Sequence, residues 1–324
     1  MCGEILENES LYRGRYRILR KIGSGGTSTV YMGFDNKTGM TVSIKKLRQE
    51  IMAGGAAYEA VKQEAKLLEG LRNSAIPGLV EVYEDAVVLE HIPGNTLDKY
   101  LRAKGHLKEQ EAVQIGREIL EVLGYLHELE EPVIYRDLKP SNIVIRPDGH
   151  VALIDFGAAR VFRADATSDE MNVGTCGFAA PEQYGSLGQT DVRTDVYCFG
   201  KTMEQILGEN GGSPELQAVL DKCTRPDRDD RFGSCREIEE ALEKCPKRAA
   251  VRRIMKNVKL AAVAALVALV VTVTSTYHDA VMSYAASDAQ VRIPAVKQRL
   301  GYAGIRIRDL LEEHGIQCNF LEDR

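Results

Sequence analysis

The sequence predicts an α+β protein in which a small β-rich lobe is followed by a larger helical lobe and then by a single transmembrane helix. Three observations carry this prediction. Residues 16–47 alternate apolar and polar side chains between five glycines, residues 96–247 are mostly of helical pattern, and residues 260–276 contain no charged side chain. Alternation with a period of two is typical of half-buried strands, whereas apolar residues three and four positions apart indicate helices.

The β-rich lobe is expected to contain five strands and one helix. YRILRKIGSGGTSTVYMGFDNKTGMTVSIKKL, residues 16–47, predicts three antiparallel strands joined by a glycine turn and by a hairpin turn at residues 36–39. AYEAVKQEAKLLEGLR places Val61, Ala65 and Leu68 at helical spacing, and GLVEVYED and AVVLEHI return to strands. The proline and glycine of EHIPGNT then predict a hinge between the two lobes.

The helical lobe is expected to begin at Thr96. TLDKYLRAK and KEQEAVQIGREILEVLGYLHEL predict two helices, and two short strands are expected around residues 137–155. From there the pattern is helical again to about residue 247.

Composition narrows the class of protein. A chain of 324 residues with 44% apolar and 27% charged residues is long enough for one large or two ordinary globular domains. A net charge of −5 gives no reason to expect nucleic acid as a partner. Seven cysteines without regular spacing argue against a disulfide framework and against a zinc site, and MCGEILENES lacks the apolar core of a signal peptide.

The segment LAAVAALVALVVTVTST, residues 260–276, predicts the transmembrane helix. Its 17 uncharged residues would span about 26 Å, close to the hydrocarbon thickness of a bilayer. A buried core helix is the alternative. Because basic residues crowd the side before it, that side is expected in the cytoplasm and residues 278–324 outside. The basic residues are Lys244, Lys247, Arg248, Arg252, Arg253, Lys256 and Lys259, and the first base after the segment is Arg292.

The stretch VIYRDLKPSNIVI, residues 133–145, places a charged run between two apolar segments that are expected to be strands. A solvated turn would explain the polarity, but not the fixed offsets of Asp137, Lys139 and Asn142. VALIDFGAAR carries Asp155 at the end of an apolar strand, where burying a carboxylate without a cation would be costly. We therefore expect these four residues to form a site for Mg²⁺, phosphate and an attacking hydroxyl.

Two weaker candidates precede that site. Gly23, Gly25 and Gly26 could bring backbone N–H groups close to phosphates, although a glycine-rich hairpin turn is at least as frequent. Lys45 and Glu64 could form an ion pair that holds the lysine against an anionic ligand. Taken alone, an exposed strand lysine and a surface carboxylate are the commoner cases.

With these motifs in order, residues 16–242 resemble a eukaryotic-like Ser/Thr protein kinase of bacteria. The glycine loop, VSIKKL, YRDLKPSN, DFG, GTCGFAAPEQY, TDVYCFG and RDDRF follow the sequence of that family's motifs. The resemblance implies a two-lobed protein kinase fold and transfer of the γ-phosphate of ATP to Ser or Thr hydroxyls of proteins, with Mg²⁺, or Mn²⁺ in its place, as the metal. A lysine two residues after the catalytic Asp is the Ser/Thr pattern.

The resemblance also implies residue roles. Asp137 is the catalytic base, and Lys139 counters the charge of the transferred phosphoryl group. Asn142 and Asp155 bind the metal. Asp195 braces the catalytic loop. The residues expected to contact ATP are Ile22, Gly23, Gly25, Gly26, Val30, Lys45 with its partner Glu64, the gatekeeper Leu89, and the backbone of Glu90 and His91.

Further expectations concern control and packing. Thr167, Ser168 and Thr175 are the activation-loop candidates, and a phosphate on Thr167 or Ser168 is expected to bind Arg136 and order the loop. The alternative is an acidic loop in which these hydroxyls are incidental. The remaining expectations are structural: Glu182 pairs with Arg231, His127 and the cysteines have structural roles, and Cys176 borders the substrate site.

Two departures from the family pattern stand out. Tyr135 replaces the usual His before Arg136, a change also found in active kinases. Only residues 208–212 separate the helix around 195–207 from SPELQAVLDKCT, which is too short for the additional helix that usually docks protein substrates.

Two other functions are alternatives to the active protein kinase. A pseudokinase scaffold is the first alternative, and the intact Lys45, Asp137, Asn142 and Asp155 argue against it. A small-molecule kinase is the second, and the segment at residues 174–182 argues against that.

The expected organisation is an N-terminal extension (1–11), a kinase domain (12–248, with lobes 12–90 and 95–248), a basic juxtamembrane segment (249–259), a transmembrane helix (260–277) and an extracytoplasmic tail (278–324). Protein substrates and the membrane are the expected partners. A homodimer is expected for autophosphorylation between two chains.

Overall fold

The computed structural model describes residues 11–49, 56–162, 174–184, 189–208 and 211–287. The chain consists of two compact units, Met1–Val251 and Arg252–Arg324. Within the first unit, an antiparallel sheet with one helix precedes a mainly helical part, which confirms the α+β prediction.

The sheet of the first lobe has five strands in the order β1-β2-β3-β5-β4. Its pairings are antiparallel, as expected for the first three strands, and Lys45 on β3 lies between Val30 of β2 and Val87 of β5. The register of β1 against β2 shifts between Lys21 and Gly23, where the glycine turn begins. The strands are β1 (Tyr16–Ser24), β2 (Ser28–Asp35), β3 (Thr41–Leu47), β4 (Leu79–Tyr83) and β5 (Ala86–Glu90).

Helix α1, Ala56–Gly70, packs beside this sheet. Val61, Ala65 and Leu68, the residues whose spacing predicts the helix, are all buried and join the main hydrophobic core. Residues three and four apart share one face of a helix, so this buried stripe sets which way Glu64 points. Glu64 lies on the same face and is buried at 3% exposure.

The helical part is built on α2 (Leu97–Lys104), α3 (Glu109–His127), α4 (Val192–Leu207) and α5 (Pro214–Cys223). Asp191 caps α4 by accepting from the Arg193 N–H, and Ser213 caps α5 with Pro214 at its first position. In both helices the capping side chain provides an acceptor for one of the first N–H groups, which have no partner within the helix.

Five short strands form two smaller sheets. They are β6 (Asn95–Thr96), β7 (Val133–Ile134), β8 (Ile143–Ile145), β9 (Val151–Leu153) and β10 (Arg160–Val161), with sheet orders β6-β8-β9 and β10-β7. The expected pair around residues 137–155 is present as β8 and β9. The end of EHIPGNT is a strand as well, because β6 pairs with β8. Gly94 makes that approach possible, since a Cβ there would lie 2.2 Å from the Ile145 carbonyl oxygen.

The connection between α4 and α5 is as short as the sequence indicates. α4 ends at Leu207 and α5 begins at Pro214. Glu109 at the start of α3 fixes this connection: its carboxylate accepts from the Ser213 N–H at 2.7 Å and from the Ser213 hydroxyl at 2.8 Å. The connection is thus bound to the neighbouring helix.

Helix α6, Cys235–Ser287, contains the apolar segment 260–276. Within the described part of the chain it is the one helix long and apolar enough to cross a membrane, and no residue of its most apolar window is buried. The expected juxtamembrane residues 249–259 are helical too.

Candidate active site

Lys45, Glu64 and Asp155 meet at one ion cluster, although the sequence separates Lys45 from Asp155 by 110 residues. The Lys45 ammonium lies 2.9 and 2.8 Å from the two carboxylate oxygens of Glu64 and 2.6 Å from Oδ1 of Asp155. β3 supplies the lysine, α1 the glutamate, and the segment after β9 the aspartate. The expected Lys45–Glu64 pair is thus present, with a third member.

The charges of this cluster perturb one another. Burial alone would lower the pKa of Lys45, but the two carboxylates outweigh it and the pKa is raised. Burial would raise the pKa of Asp155, yet the neighbouring Lys45 holds it below its ordinary value. Burial raises the pKa of Glu64, which Lys45 offsets only in part. One ammonium therefore serves two carboxylates, and Lys45 and Asp155 are both charged at neutral pH.

Gly157 lies against this cluster. A Cβ at this position would lie 3.0 Å from the Lys45 ammonium nitrogen and 3.3 Å from Oδ1 of Asp155. Asp155 itself has a left-handed backbone, with φ at 67°. Such a conformation is costly for a residue with a Cβ, so the surrounding structure must hold it in place.

The catalytic-loop candidates form a second cluster around Asp137. Its Oδ2 accepts from the Lys139 ammonium at 2.8 Å and from the Asn142 amide nitrogen at 3.0 Å. Asn142 is buried and ends the short 3₁₀ turn Pro140–Asn142. The proline of LKPSN thus starts the turn that carries Asn142 back to the carboxylate, five residues after it.

Thr175 belongs to this cluster, a contact that sequence reasoning missed. Its hydroxyl donates to Oδ1 of Asp137 at 2.7 Å and accepts from Lys139 at 2.6 Å. The sequence marked Thr175 only as an activation-loop candidate. Its place at the start of GTCGFAAPEQY is the signal that could have found it. The next residue, Cys176, is exposed.

Asp195 on α4 holds the backbone of the catalytic loop. Its Oδ2 accepts the Tyr135 N–H at 2.8 Å, and its Oδ1 accepts the Arg136 N–H at 2.7 Å. His127 at the end of α3 contacts Oδ2 at 2.8 Å. Arg136 also adopts a left-handed backbone, with φ at 68°, and its Nε donates to the Ala158 carbonyl. The expectations for Asp195 and for a structural His127 agree with this geometry.

Tyr135 joins the loop to the segment that carries Asp155. Its ring meets Phe156 edge to face at a centroid distance of 5.1 Å, and its hydroxyl donates to the Ile154 carbonyl. Tyr135 is fully buried, and burial raises its pKa well above the ordinary value. The hydroxyl therefore stays a donor at neutral pH.

Glu182 and Arg231 form a buried, bidentate ion pair. The guanidinium lies 2.8 and 2.9 Å from the two carboxylate oxygens, and the Thr194 hydroxyl donates to Oε1 at 2.8 Å. Burial would raise the pKa of Glu182, but Arg231 holds it below its ordinary value. This pair fixes GTCGFAAPEQY to the helical part, as expected.

The residues expected to contact ATP line the first lobe. The backbone N–H of Gly25 donates to the Ser28 carbonyl at 2.8 Å. A Cβ on Gly25 would have no atom nearer than 3.9 Å, and one on Gly26 would meet nothing within 4 Å. Packing within the chain therefore does not require these glycines, and side chains here would fill open space above the loop. Ile22 and Val30 are half-buried.

The adenine candidates lie at the end of β5. Leu89 is buried, and the Glu90 carboxylate is turned toward Gly78. The backbone N–H groups of Glu90 and His91 donate to the carbonyls of Gly78 and Thr41. These two N–H groups are therefore already bonded within the lobe.

Thr167 and Ser168, two of the activation-loop candidates, lie outside the described residues.

The metal site depends on few protein ligands. Among the residues described, no group of three or more His, Cys, Asp or Glu side chains is placed to hold a metal ion. The protein ligands expected for the metal are a single carboxylate, Asp155, and an amide, Asn142, an oxygen set that suits Mg²⁺ when substrate phosphates complete it.

Residues 16–212 match the family described as "Protein kinase domain". The chain belongs to this family. Protein kinases use ATP with a divalent metal and act on proteins, which fits the two charged clusters of the kinase domain.

Curated relatives come from bacteria. The kinase is 33% identical over 211 residues to the probable serine/threonine-protein kinase pknA2 of Bifidobacterium longum, a match covering 62% of this chain and 28% of the relative. It is 34% identical over 203 residues to the serine/threonine-protein kinase PknL of Mycobacterium tuberculosis, covering 61% and 50%. The chain thus matches half or less of the length of these relatives.

Proposed function

We propose that the protein is an ATP- and Mg²⁺-dependent serine/threonine protein kinase that phosphorylates proteins, including other copies of itself. The observation that carries this proposal is the arrangement around Asp137. One carboxylate is contacted by Lys139, Asn142 and the Thr175 hydroxyl, while Lys45, Glu64 and Asp155 form a charged cluster of their own.

Asp137 receives the acceptor hydroxyl in this proposal. Its Oδ1 already accepts from the hydroxyl of Thr175, which shows that an alcohol donor fits there. Asp137 orients the acceptor oxygen toward the γ-phosphorus and takes its proton as the new O–P bond forms. The bond from the γ-phosphorus to the β–γ bridging oxygen breaks, and ADP leaves. Lys139, 2.8 Å from the carboxylate, provides positive charge where the transferred group carries its negative charge.

Lys45 holds the α- and β-phosphates of ATP. Glu64 keeps the lysine pointing away from its own strand, and the raised pKa of Lys45 ensures that it is charged. Ile22, Gly23, Gly25, Gly26 and Val30 would cover the nucleotide, and Leu89, Glu90 and His91 would border its base.

Asp155 and Asn142 would hold the metal. A bound Mg²⁺ would supply positive charge against the phosphates, and Mn²⁺ has the same ligand preference. The lowered pKa of Asp155 keeps its carboxylate ionised, as a ligand must be.

Serine or threonine is the proposed acceptor. Lys139 two residues after Asp137 gives the Ser/Thr pattern, and its contact with Thr175 ties the substrate segment to the catalytic loop. The curated relatives named above are also called serine/threonine-protein kinases.

The kinase domain is proposed to occupy residues 12–248 in the cytoplasm. Residues 260–277 cross the membrane once, after the basic segment 249–259, and residues 278–324 lie outside. Support comes from the apolar part of α6 and from the seven basic residues that precede it. Protease added to intact cells is expected to remove the tail and leave the kinase domain. Digestion of residues 1–240 with protection of the tail would show that the topology is the reverse of the one proposed.

Control is proposed to act through Thr167 and Ser168, phosphorylated between two chains brought together in the membrane. The position of Arg136 supports this proposal, because a phosphate needs a held cation to bind: Asp195 accepts the Arg136 backbone N–H, and the guanidinium Nε donates to the Ala158 carbonyl. Mass spectrometry after incubation with ATP, paired with a Thr167→Ala/Ser168→Ala variant, tests it. Full activity in that variant, or no phosphate at either residue, would place control elsewhere.

The central experiment uses radiolabelled ATP and the full chain in detergent. The wild type is expected to label itself and a basic protein substrate, and Asp137→Asn to lose about 10²–10⁴-fold in rate. Asp148→Asn is the matched control, because Asp148 is an exposed aspartate of the same region that contacts Arg146 and the His150 N–H rather than the catalytic residues. Nucleotide binding by the wild type without phosphate transfer would instead identify a pseudokinase.

A further inference from the structure

A chain of three side chains leads from the last helix of the kinase domain to the catalytic loop. Cys235 is the first residue of α6, and its sulfur lies 3.5 Å from Nδ1 of His127. Nε2 of the same imidazole lies 2.8 Å from Oδ2 of Asp195. Asp195 in turn accepts the backbone N–H groups of Tyr135 and Arg136, next to Asp137.

The contacts define which imidazole nitrogen carries the hydrogen. Oδ2 of Asp195 already accepts the Tyr135 N–H, so it is an acceptor toward His127 too. A lone pair on Nε2 would face that oxygen and repel it, so the Nε2–H tautomer is the one that fits. In the neutral ring Nδ1 is then an acceptor, and the thiol of Cys235, whose sulfur lies 3.5 Å away, is placed to donate to it.

The thiol is held in its donor form. Cys235 is 5% exposed, and burial raises the pKa of its thiol well above the ordinary value. Its hydrogen therefore stays on sulfur at neutral pH. A thiol is a weak donor, but water does not compete for its acceptor, because the His127 side chain is only 7% exposed.

We propose that Cys235 is a positioning residue for the catalytic loop. By donating to Nδ1 it fixes His127 in the tautomer that donates to Asp195, and Asp195 holds the N–H groups of Tyr135 and Arg136. Without the thiol, the imidazole can adopt the other tautomer or turn, and Asp195 loses one of its three donors. Arg136 has a left-handed backbone and depends on such bracing to stay there.

This inference rests on the proposed kinase activity, and Cys245 provides a matched control for it. Cys235 and Cys245 lie in the same helix, belong to the same hydrophobic core and are equally buried, at 5% exposure. The Cys245 thiol donates to the Ala241 carbonyl of its own helix. Cys235→Ala and Cys245→Ala thus remove the same atoms at the same burial, and the first alone removes a contact with His127.

The test compares Cys235→Ala, Cys235→Ser and Cys245→Ala in the full chain. Cys235→Ala is expected to lower kcat about fivefold, the equivalent of one hydrogen bond, with KM for ATP nearly unchanged. Cys235→Ser keeps a donor and is expected to recover most of the loss. In a His127→Phe background, Cys235→Ala is expected to have no further effect on kcat.

A second readout does not depend on activity. ¹⁵N-labelled histidine spectra are expected to show His127 as the Nε2–H tautomer in the wild type and in Cys245→Ala, and as a mixture in Cys235→Ala. An inactive wild type would refute the kinase proposal, while these spectra would still decide the role of Cys235. Equal kcat in the two alanine variants, no recovery with serine, or an unchanged His127 tautomer in Cys235→Ala would each overturn the inference.

Discussion

Replacing Arg231 with Met is expected to be one of the most destabilising single changes in the kinase domain. The guanidinium is fully buried and all five of its N–H groups are used. Two contact the Glu182 carboxylate, at 2.8 and 2.9 Å. The other three bonds run to carbonyl oxygens of Arg225, Arg193 and Pro226, at 2.7, 2.9 and 3.0 Å.

The magnitude follows from what remains after the substitution. Glu182 would keep the Thr194 hydroxyl but lose Arg231, the one cation that contacts it among the described residues, at 7% side-chain exposure. Breaking a buried ion pair from one side costs about 3–5 kcal/mol, because the other charge stays buried without compensation. For a domain of this size that equals a fall of roughly 6–20 °C in Tm. Arg236→Met is the control, since the Arg236 side chain is 83% exposed and its ion pair with Glu240 is worth about 1 kcal/mol at most.

Pulse labelling of buried thiols measures this stability. Cys198 and Cys223 are fully buried, so their reaction with a thiol reagent in rising urea reports the opening of the kinase domain itself. A Glu182→Met/Arg231→Met double variant is expected to be more stable than Arg231→Met, because it leaves no buried charge. An Arg231→Met variant as stable as Arg236→Met would refute the reasoning.

The pair also predicts a pH dependence. Because Arg231 holds the pKa of Glu182 below its unfolded value, the pair stabilises the fold above that unfolded value, near pH 4.3. This contribution is lost as the pH falls through the lower, folded pKa. The stability gap between the wild type and Arg231→Met is therefore expected to narrow in acid, and a gap that widened would contradict the assignment.

Three further predictions concern the site. Asp155→Asn is expected to lower kcat by about 10²-fold or more with the fold intact. EDTA is expected to stop the wild-type reaction. Turnover in EDTA would contradict the metal-binding role of Asp155. Gly157→Ala is expected to lower kcat/KM for ATP about tenfold, because its Cβ would lie 3.0 Å from the Lys45 ammonium; wild-type ATP kinetics would contradict this. Thr175→Val is expected to lower kcat about fivefold and Thr175→Ser to retain it, since only serine keeps the hydroxyl contact with Asp137; equal rates in steady-state assays would refute that contact's importance.

Much of the fold is legible in the sequence, because its elements are locally encoded. The alternation of residues 16–47 predicts β1 to β3, and the spacing of Val61, Ala65 and Leu68 predicts the buried face of α1. Strands β6 and β10 are two residues each and carry no pattern of their own. Their pairing depends on β8 and β7, whose paired residues lie about 50 and 27 positions away in the chain and are not predictable from spacing.

The candidate site divides in the same way. Lys45, Asp137, Asn142 and Asp155 stand out because charged and amide side chains beside apolar strands require a reason. Thr175 does not stand out, since a hydroxyl in a loop is ordinary. The contact between Cys235 and His127 joins residues 108 positions apart, and neither has a neighbouring motif that announces it. Such contacts arise from how α3, α4 and the start of α6 pack.

The left-handed backbones at Arg136 and Asp155 set a limit on what selection could improve. Each conformation costs about 1–2 kcal/mol for a residue with a Cβ, and glycine would remove that cost. Glycine at either position would also delete the side chain that gives the position its use. Glycine at these two positions would therefore stabilise the fold but remove side chains that the enzyme needs for activity.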